Sequence, residues 1–366
     1  MPTETIETTD LPPWAPLEPF LKDAGVTEIL VDGYKTFYIE KGGQLIDIDP
    51  SPFRDEEQLI GTINWIANAL GRRVDESHPM ADLRLPDGSR VNVVVWPIAR
   101  NGSCMTIRKF FKEPLTLEKA LKFGTLDDHI QQFLQACVQG RANLAVVGGT
   151  GAGKTVFLNL LANWIGADER IITCEDAGEL QLPHKRRVVL ETRPANLEGR
   201  GEVTMTDLII NALKMRPERI IVGEVRWDEA LHLLAAMNTG HDGSMFTMHA
   251  TNPQDALTRL ETMAGSANPS IPLLALREQI ASALNFIVVM ERLRDGTRKI
   301  VRVSEVEGLE GGVIKLADIF VYQQTGLEND VVKGRHMPTG KIPSFMKQLR
   351  ERGVNLPMEL FVPKMG

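Results

Sequence analysis

The sequence predicts an α/β fold in two domains, a smaller α+β unit followed by a larger one wound around a mostly parallel sheet. Three observations predict it. Past residue 125, short apolar runs of β type (NLAVV, RIITCED, RVVLET, RIIVGEV) have helix-period stretches between some of them, the pattern of a three-layer α/β fold. Before residue 110 the runs alternate apolar and polar residues between turn signals, as antiparallel strands do. The segment GGTGAGKT, Gly148 to Thr155, joins an apolar run to a helix-period run with the spacing G-x-x-x-x-G-K-[ST]. A chain of 366 residues is long enough for two domains of ~100–200 residues each. The expected boundaries are a flexible leader at 1–24, a first domain at 25–110, a connector at 111–125 and a second domain at 126–366.

The elements follow in order. MPTETIETTDLPPW is acidic and Pro-containing without an apolar core, so it reads as a polar leader rather than a targeting segment. EILVDGYKTFYIEKGGQLIDI breaks at Asp32-Gly33 and Gly42-Gly43, which predicts short antiparallel strands. In EEQLIGTINWIANALGRR, Leu59, Ile63, Ile66, Ala67 and Leu70 recur at helical spacing and Gly71 ends the helix. DLRLPDGSRVNVVVW turns at Pro86-Asp87-Gly88 between two strands, and SCMTIRKF supplies another. FKEPLTLEKALKFGTL reads as the connector. Leu126, Ile130, Phe133, Leu134 and Cys137 then form one helical face that ends at Gly140. The tail, with Asp295-Gly296 and Gly311-Gly312, reads as added strands and small helices.

Composition narrows the function. Hydrophobic residues make up 43% and charged residues 24%, the net charge is -7 and the pI is near 5.6, so a nucleic-acid partner is not expected. Cys104, Cys137 and Cys174 are far apart and in no C-x-x-C spacing, which indicates neither a zinc site nor a disulfide framework and fits a reducing cytoplasm. No run approaches the ~18 apolar residues of a membrane span.

The chemistry begins at the glycine-rich loop. Closely spaced glycines let successive N–H groups turn inward into an anion-binding nest, and the helix that starts near Gly153 adds its positive end. Gly148, Gly149, Thr150, Gly151, Ala152, Gly153, Lys154, Thr155 and the adjoining Val156 are therefore expected to hold ATP. Lys154 would reach the β- and γ-phosphates, and the Thr155 hydroxyl would ligate Mg²⁺. Hydrolysis needs more. In RIIVGEVR a glycine replaces the first acid usual at the end of such a strand, which leaves Glu224 to polarise water; an exposed strand-end glutamate is the plain alternative. Glu175 and Asp176, just past RIITC, are candidates for the missing carboxylate, or solvated loop acids. His241 and His249 flank the strand-like SMFTM and are equally readable as structural residues.

Taken together, GGTGAGKT, TCEDAGELQL, RPERIIVGEVR and MNTGHDGSMFTMHATNPQDALTRLE resemble, in that order, the Walker A, Asp box, Walker B and His box of the secretion ATPase superfamily of type II, type IV pilus and type IV secretion systems. Within it the likeness is greatest to the CpaF/TadA branch, which powers Tad (Flp) pilus assembly, and LPDGSRVN and TIRKF extend it over roughly residues 25 to 325. The resemblance implies a hexameric ring on the cytoplasmic face of the inner membrane, peripheral to it through platform proteins. Each subunit would have a PAS-like N-terminal domain and a RecA-like P-loop domain with ATP between them. It implies Glu224 as catalytic glutamate, Glu175 as the Asp-box acid near catalysis and metal, and His249 with His241 as the His box. It makes the glycine before Glu224 the family's own pattern. It also implies that Arg90 and Arg108 approach nucleotide, and that Arg193, Arg200, Arg216 and Arg226 are candidates for charge within or across subunits. The leader is short beside the extensions of many CpaF-like chains, and the four-cysteine zinc insert of type II ATPases is absent.

The leading expectation is thus a motor that hydrolyses ATP for pilus assembly. A conjugation or effector-export ATPase, a nucleotide-gated assembly factor with little turnover and a nucleic-acid translocase are the rivals. The aspartate of MNTGHDGSM favours the pilus branch over export, and the low pI counts against the translocase.

Overall fold

The computed structural model describes residues 14–110, 115–195 and 199–363, and these divide into two compact units, Met1–Lys112 and Glu113–Gly366. The first contains α1 (Glu18–Lys22), β1 (Val26–Asp32), β2 (Phe37–Lys41), β3 (Gln44–Asp47), α2 (Glu56–Ala69), β4 (Met80–Arg84), β5 (Arg90–Val94) and β6 (Cys104–Arg108). Its strands form one antiparallel sheet in the order β3-β2-β1-β6-β5-β4. Alternate residues such as Ile29, Val31, Val91, Val93, Met105 and Ile107 point into a core closed by Leu59, Ile63 and Ile66 of α2. Asp55 caps α2 by accepting from Gln58 N at 2.8 Å. The leader is not wholly loose: Trp14 stacks on Trp65 at 5.8 Å between ring centroids, and Leu17 is fully buried. Residues 1–13 of the expected leader lie outside the described residues.

The second unit contains α3 (Leu117–Lys122), α4 (Asp128–Gln139), β7 (Leu144–Gly148), α5 (Lys154–Ala162), β8 (Ile171–Glu175), β9 (Arg187–Glu191), α6 (Met205–Ala212), β10 (Arg219–Val225), α7 (Glu229–Asn238) and β11 (Met245–His249). It continues with α8 (Pro253–Ala267), α9 (Leu273–Ala283), β12 (Phe286–Arg292), β13 (Arg298–Glu310), β14 (Val313–Glu328), β15 (Val331–Pro338) and α10 (Met346–Glu351). One sheet runs β15-β14-β13-β12-β7-β11-β10-β8-β9. The strands from β12 to β9 are parallel, and β13, β14 and β15 extend the sheet antiparallel. Residues alternating along β7 enter opposite cores. Leu144 and Val146 pack with α4 and α5, while Ala145 and Val147 pack with α6 to α9, which gives the three layers.

One expectation changes here, and one core strand was not foreseen. The connector expected over 111–125 carries α3 from residue 117: Ala120 is fully buried, and Leu115, Leu117 and Leu121 pack on the core of the second unit. Mixed charge hid an amphipathic turn. Beyond Asp295 the tail does append strands, β13 to β15, and the short helix α10, while β12, which no sequence run singled out, lies beside β7 in the parallel core. Phe286 to Met290 are buried on both faces, as a central parallel strand requires. Among the described residues no helix is long and apolar enough to cross a membrane.

Candidate active site

Register gathers the motif residues at one end of the parallel sheet. β11 pairs with β7 so that His249 stands beside Gly148, and β10 pairs with β11 so that Val225 stands beside Met248. Glu224 and His249 are thereby level with the start of the glycine-rich loop. The Thr247 hydroxyl, fully buried, donates to the Gly223 carbonyl at 2.6 Å and locks β10 to β11 just before Glu224.

The loop needs its glycines for two reasons. Gly151 (φ +71°) and Gly153 (φ +89°) adopt the left-handed conformation that disfavours a Cβ. A Cβ on Gly148 would lie 2.4 Å from the Met290 carbonyl oxygen of β12. Gly149 and Thr150 are exposed, Ala152 is buried, Thr155 is partly buried and Val156 is exposed. Gly153 is the N-cap of α5 and brings no side-chain cap, which leaves first-turn amides of α5 directed at whatever anion the loop holds. Lys154 is largely buried; its Nζ donates to the Gly149 carbonyl at 3.2 Å and lies 3.9 Å from Glu224 Oε1.

Glu224 is the hub of this end. Its Oε1 is 3.0 Å from His249 Nε2, and its Oε2 accepts from Arg226 Nε at 2.5 Å and from a second Arg226 nitrogen. Arg226 also reaches Asp176 Oδ2 at 3.0 Å. The Glu229 carboxylate fixes that turn by accepting from the backbone N–H groups of Arg226 and Trp227. Burial holds His249 below its ordinary 6.5, and the Lys154 charge adds to this while Glu224 opposes it. The neutral imidazole is thereby favoured, and its Nε2–H tautomer can donate to Glu224 Oε1. A carboxylate oriented by an imidazole and a guanidinium beside a phosphate-binding loop is equipped to accept a proton from water.

Glu175, expected beside the metal, is enclosed in this conformation. Its side chain is 1% exposed, and Oε2 accepts from the backbone N–H groups of Glu179 and Leu180 at 2.7 and 2.9 Å, so it clasps the turn after β8. Burial raises its pKa, partly offset by those N–H groups and by the neighbouring Thr173 hydroxyl. That hydroxyl and Glu175 Oε1 are close but form no well-aligned hydrogen bond. A carboxylate so enclosed is a structural clasp in this conformation; its neighbour Asp176 is the acid that faces the Glu224 cluster.

Two other candidates lie at the far end of the sheet. His241 precedes β11, its Nδ1 3.2 Å from the Ala236 carbonyl, so a strand of roughly 13 Å separates it from the His249 level. Arg216, at φ +56°, precedes β10 by three residues and is likewise at the end opposite Glu224. Arg193 braces its own loop in this conformation: Nε donates to the Gly201 carbonyl at 2.6 Å, and its backbone pairs with Val203. Arg200 is exposed in that same loop. In the first unit, Arg90 stands between Arg84 and Arg108 across the sheet, and Arg108 Nε donates to Glu28 Oε1 at 2.7 Å. The register therefore sets these arginines in one row.

Sequence reasoning missed two further arginines. Arg298 Nε donates to the Gly151 carbonyl at 2.9 Å, and an Arg292 nitrogen lies 3.5 Å from where a Cβ of Gly151 would be. Both flank the Asp295-Gly296 turn, which signalled a hairpin but not its neighbour. Thr247 was missed as well, since its role rests on the pairing of β10 with β11.

Known proteins resemble this chain in sequence and fold. Residues 11–336 match the family described as Type II/IV secretion system protein. An uncharacterized protein of Methanocaldococcus jannaschii is 47% identical over 237 residues, which are 63% of this chain and 33% of that longer protein. A Mycobacterium tuberculosis protein whose name links it to conjugal transfer is 36% identical over 303 residues, 81% of this chain and 85% of that one. Among solved structures, the pilus retraction motor PilT with bound ADP superposes with a TM-score of 0.54 at 20% identity, covering 82% of this chain and 80% of that one, a likeness of fold. A RecA-like sheet, a complete phosphate loop, Glu224 and His249 at one sheet end and a family match over most of the length lead to one conclusion: the chain belongs to the type II/IV secretion system ATPases.

Proposed function

We propose that this ATPase is the motor of a Tad (Flp)-type pilus assembly machine, working as a hexamer on the cytoplasmic face of the inner membrane and held there by platform proteins. The observation that carries the chemistry is the Glu224 carboxylate, 3.0 Å from His249 Nε2 and 3.9 Å from Lys154 Nζ, beside the phosphate loop. ATP binds with its phosphates against the first-turn amides of α5, and Lys154 turns from the Gly149 carbonyl to the β- and γ-phosphates. Glu224 accepts a proton as the water oxygen bonds to the γ-phosphorus. The bond from that phosphorus to the β,γ-bridging oxygen breaks, and ADP and phosphate leave. Mg²⁺ would be held by Thr155 and supplies charge neutralisation on the phosphate oxygens; Glu175, enclosed as it is, fits that role only if its turn opens. Arginines of the exposed loop (Arg193, Arg200) or of the row in the first unit (Arg90, Arg108) supply transition-state charge when subunits assemble.

The pilus branch is favoured by Asp242 in GHDGS, a position where members of the export branch commonly carry proline. The second reading, a type IV secretion or conjugation ATPase, draws support from the relative named for conjugal transfer. Deleting the gene in its host and restoring it as wild type or Glu224→Gln separates the two. The pilus reading expects surface filaments to vanish and to return only with the wild type. Filaments that persist while DNA transfer or effector export is lost would overturn it in favour of the second.

A further inference from the structure

We propose that the hairpin joining β12 and β13 is a second phosphate-positioning element, in which Arg298 shapes the glycine-rich loop and Arg292, directly opposite it, lends charge to the bound polyphosphate. The inference rests on the reading that residues 148–155 hold the phosphates of ATP. Three independent features of the hairpin carry it.

The first is contact. Arg298 Nε holds the Gly151 carbonyl at 2.9 Å, and in a trans peptide the N–H of Ala152 points the opposite way, where without ligand it donates to the Gly149 carbonyl inside the loop at 3.3 Å. A nest needs its carbonyls turned out and its N–H groups turned in, so this bond selects a peptide orientation that an anion requires. The second is the fit of the loop to the hairpin. A Cβ on Gly153 would meet Arg298 Cδ at 3.0 Å, and one on Gly151 would approach an Arg292 nitrogen at 3.5 Å, so both glycines also make room for guanidinium groups. The third is charge. Arg292 and Arg298 are register partners in an antiparallel ladder, which sets two guanidinium groups side by side at the loop. Guanidinium groups bind phosphate oxygens strongly, so the pair offers a polyphosphate two cationic donors.

The hairpin is also held rigidly enough to position something. Asp295 Oδ1 accepts from Thr297 N and Oγ1 at 2.9 and 2.7 Å, and its Oδ2 accepts from Val332 N at 2.8 Å, which ties the tip to β15. At the base, Met290 stands beside Gly148 in the β12–β7 register, so hairpin and loop spring from paired strands.

The test uses the full chain with Arg298→Gln, Arg298→Lys and Arg292→Gln, and calorimetric titration with ATP and with pyrophosphate at fixed salt. Each glutamine variant is expected to weaken both ligands by about tenfold or more, as loss of a charged hydrogen bond does. Arg298→Lys should recover part of the affinity, and the melting temperature without nucleotide should stay near wild type. In turnover the loss should appear in KM, with kcat little changed, because ground and transition states share these contacts. Wild-type affinity for both ligands in both glutamine variants overturns the inference and leaves the loop reading intact. So does a loss of affinity matched by a lower nucleotide-free melting temperature in all three variants, which marks a fold defect. A wild-type chain that binds neither ATP nor pyrophosphate overturns the loop reading and this inference together.

Discussion

Glu224 and His249 face each other across two paired strands, Oε1 to Nε2 at 3.0 Å, while Arg226 holds the other carboxylate oxygen. In the proposed mechanism the imidazole therefore orients the proton acceptor. Replacing His249 with alanine should lower turnover by up to about 10²-fold, the order that small misplacements cost, with ATP affinity nearly kept. His241→Ala, at the other end of β11, should leave turnover close to wild type and cost about 1 kcal/mol of stability through the contact to Ala236. Steady-state phosphate release on the two variants decides; equal defects would contradict the assignment.

The same pair sets a pH dependence. The folded value of His249 is depressed, first by burial, then by Lys154, against the pull of Glu224. A depressed value means that the neutral form is favoured in the folded protein. Its contribution to stability is therefore complete above the ordinary 6.5 and is lost as pH falls through the lower folded value. The acid limb of kcat/KM is expected below pH 6.5, with a flat region above it. A limb centred above that value would show that His249 is charged in the working enzyme.

Glu175 is raised by burial, so the sign is opposite: its stabilising contribution is full below the usual carboxylate value and lost as pH rises through the folded one. Glu175→Gln keeps an acceptor for the N–H groups of Glu179 and Leu180 and puts a donor where Oε1 meets Thr173. At pH 7 its melting temperature should equal or exceed wild type, whereas Glu175→Ala should lose about 1–3 kcal/mol by orphaning buried groups. A Glu175→Gln loss as large as that of alanine would contradict the clasp. Full stability with loss of Mg²⁺-dependent turnover would show that Glu175 also reaches the nucleotide when its turn opens.

Assembly is testable by dilution. Charge brought by an arginine on closure is worth roughly 10³–10⁵ in rate at a P-loop site. Specific activity should fall steeply as the protein is diluted, and alanine at one of Arg90, Arg108, Arg193 or Arg200 should cost at least about tenfold in turnover with little loss of nucleotide binding. Mixing such a variant with Lys154→Ala subunits should restore activity if the arginine acts across a subunit boundary. A flat concentration dependence with four unaffected variants would mean a self-contained site.

The parts of the site legible in sequence are those whose position follows from one strand and its end. Lys154 lies in the loop after NLAVV, Glu224 is next to last in RIIVGEV and His249 follows SMFTM, and parallel strands bring their C-terminal ends together. Two histidines eight positions apart look alike in sequence, yet a five-residue strand carries them to opposite ends of the sheet. Burial of Glu175 was not legible because it depends on the turn after β8 folding back over the carboxylate. Arg298 and Arg292 were out of reach for a longer-range reason. Only the placement of β12 beside β7, over 140 residues away, brings them to the loop. The same long-range pairing puts β12, which no sequence signal announced, into the central sheet.

The central claim is that ATP bound by the loop is hydrolysed with Glu224 as proton acceptor, and the most direct test is single-turnover phosphate release by Glu224→Gln with ATP binding measured alongside. The account expects binding close to wild type and release slowed by roughly 10²–10⁴-fold, whereas Lys154→Ala should lose both. Release by Glu224→Gln at more than about a tenth of the wild-type rate would contradict it, since that margin is smaller than a lost general base allows.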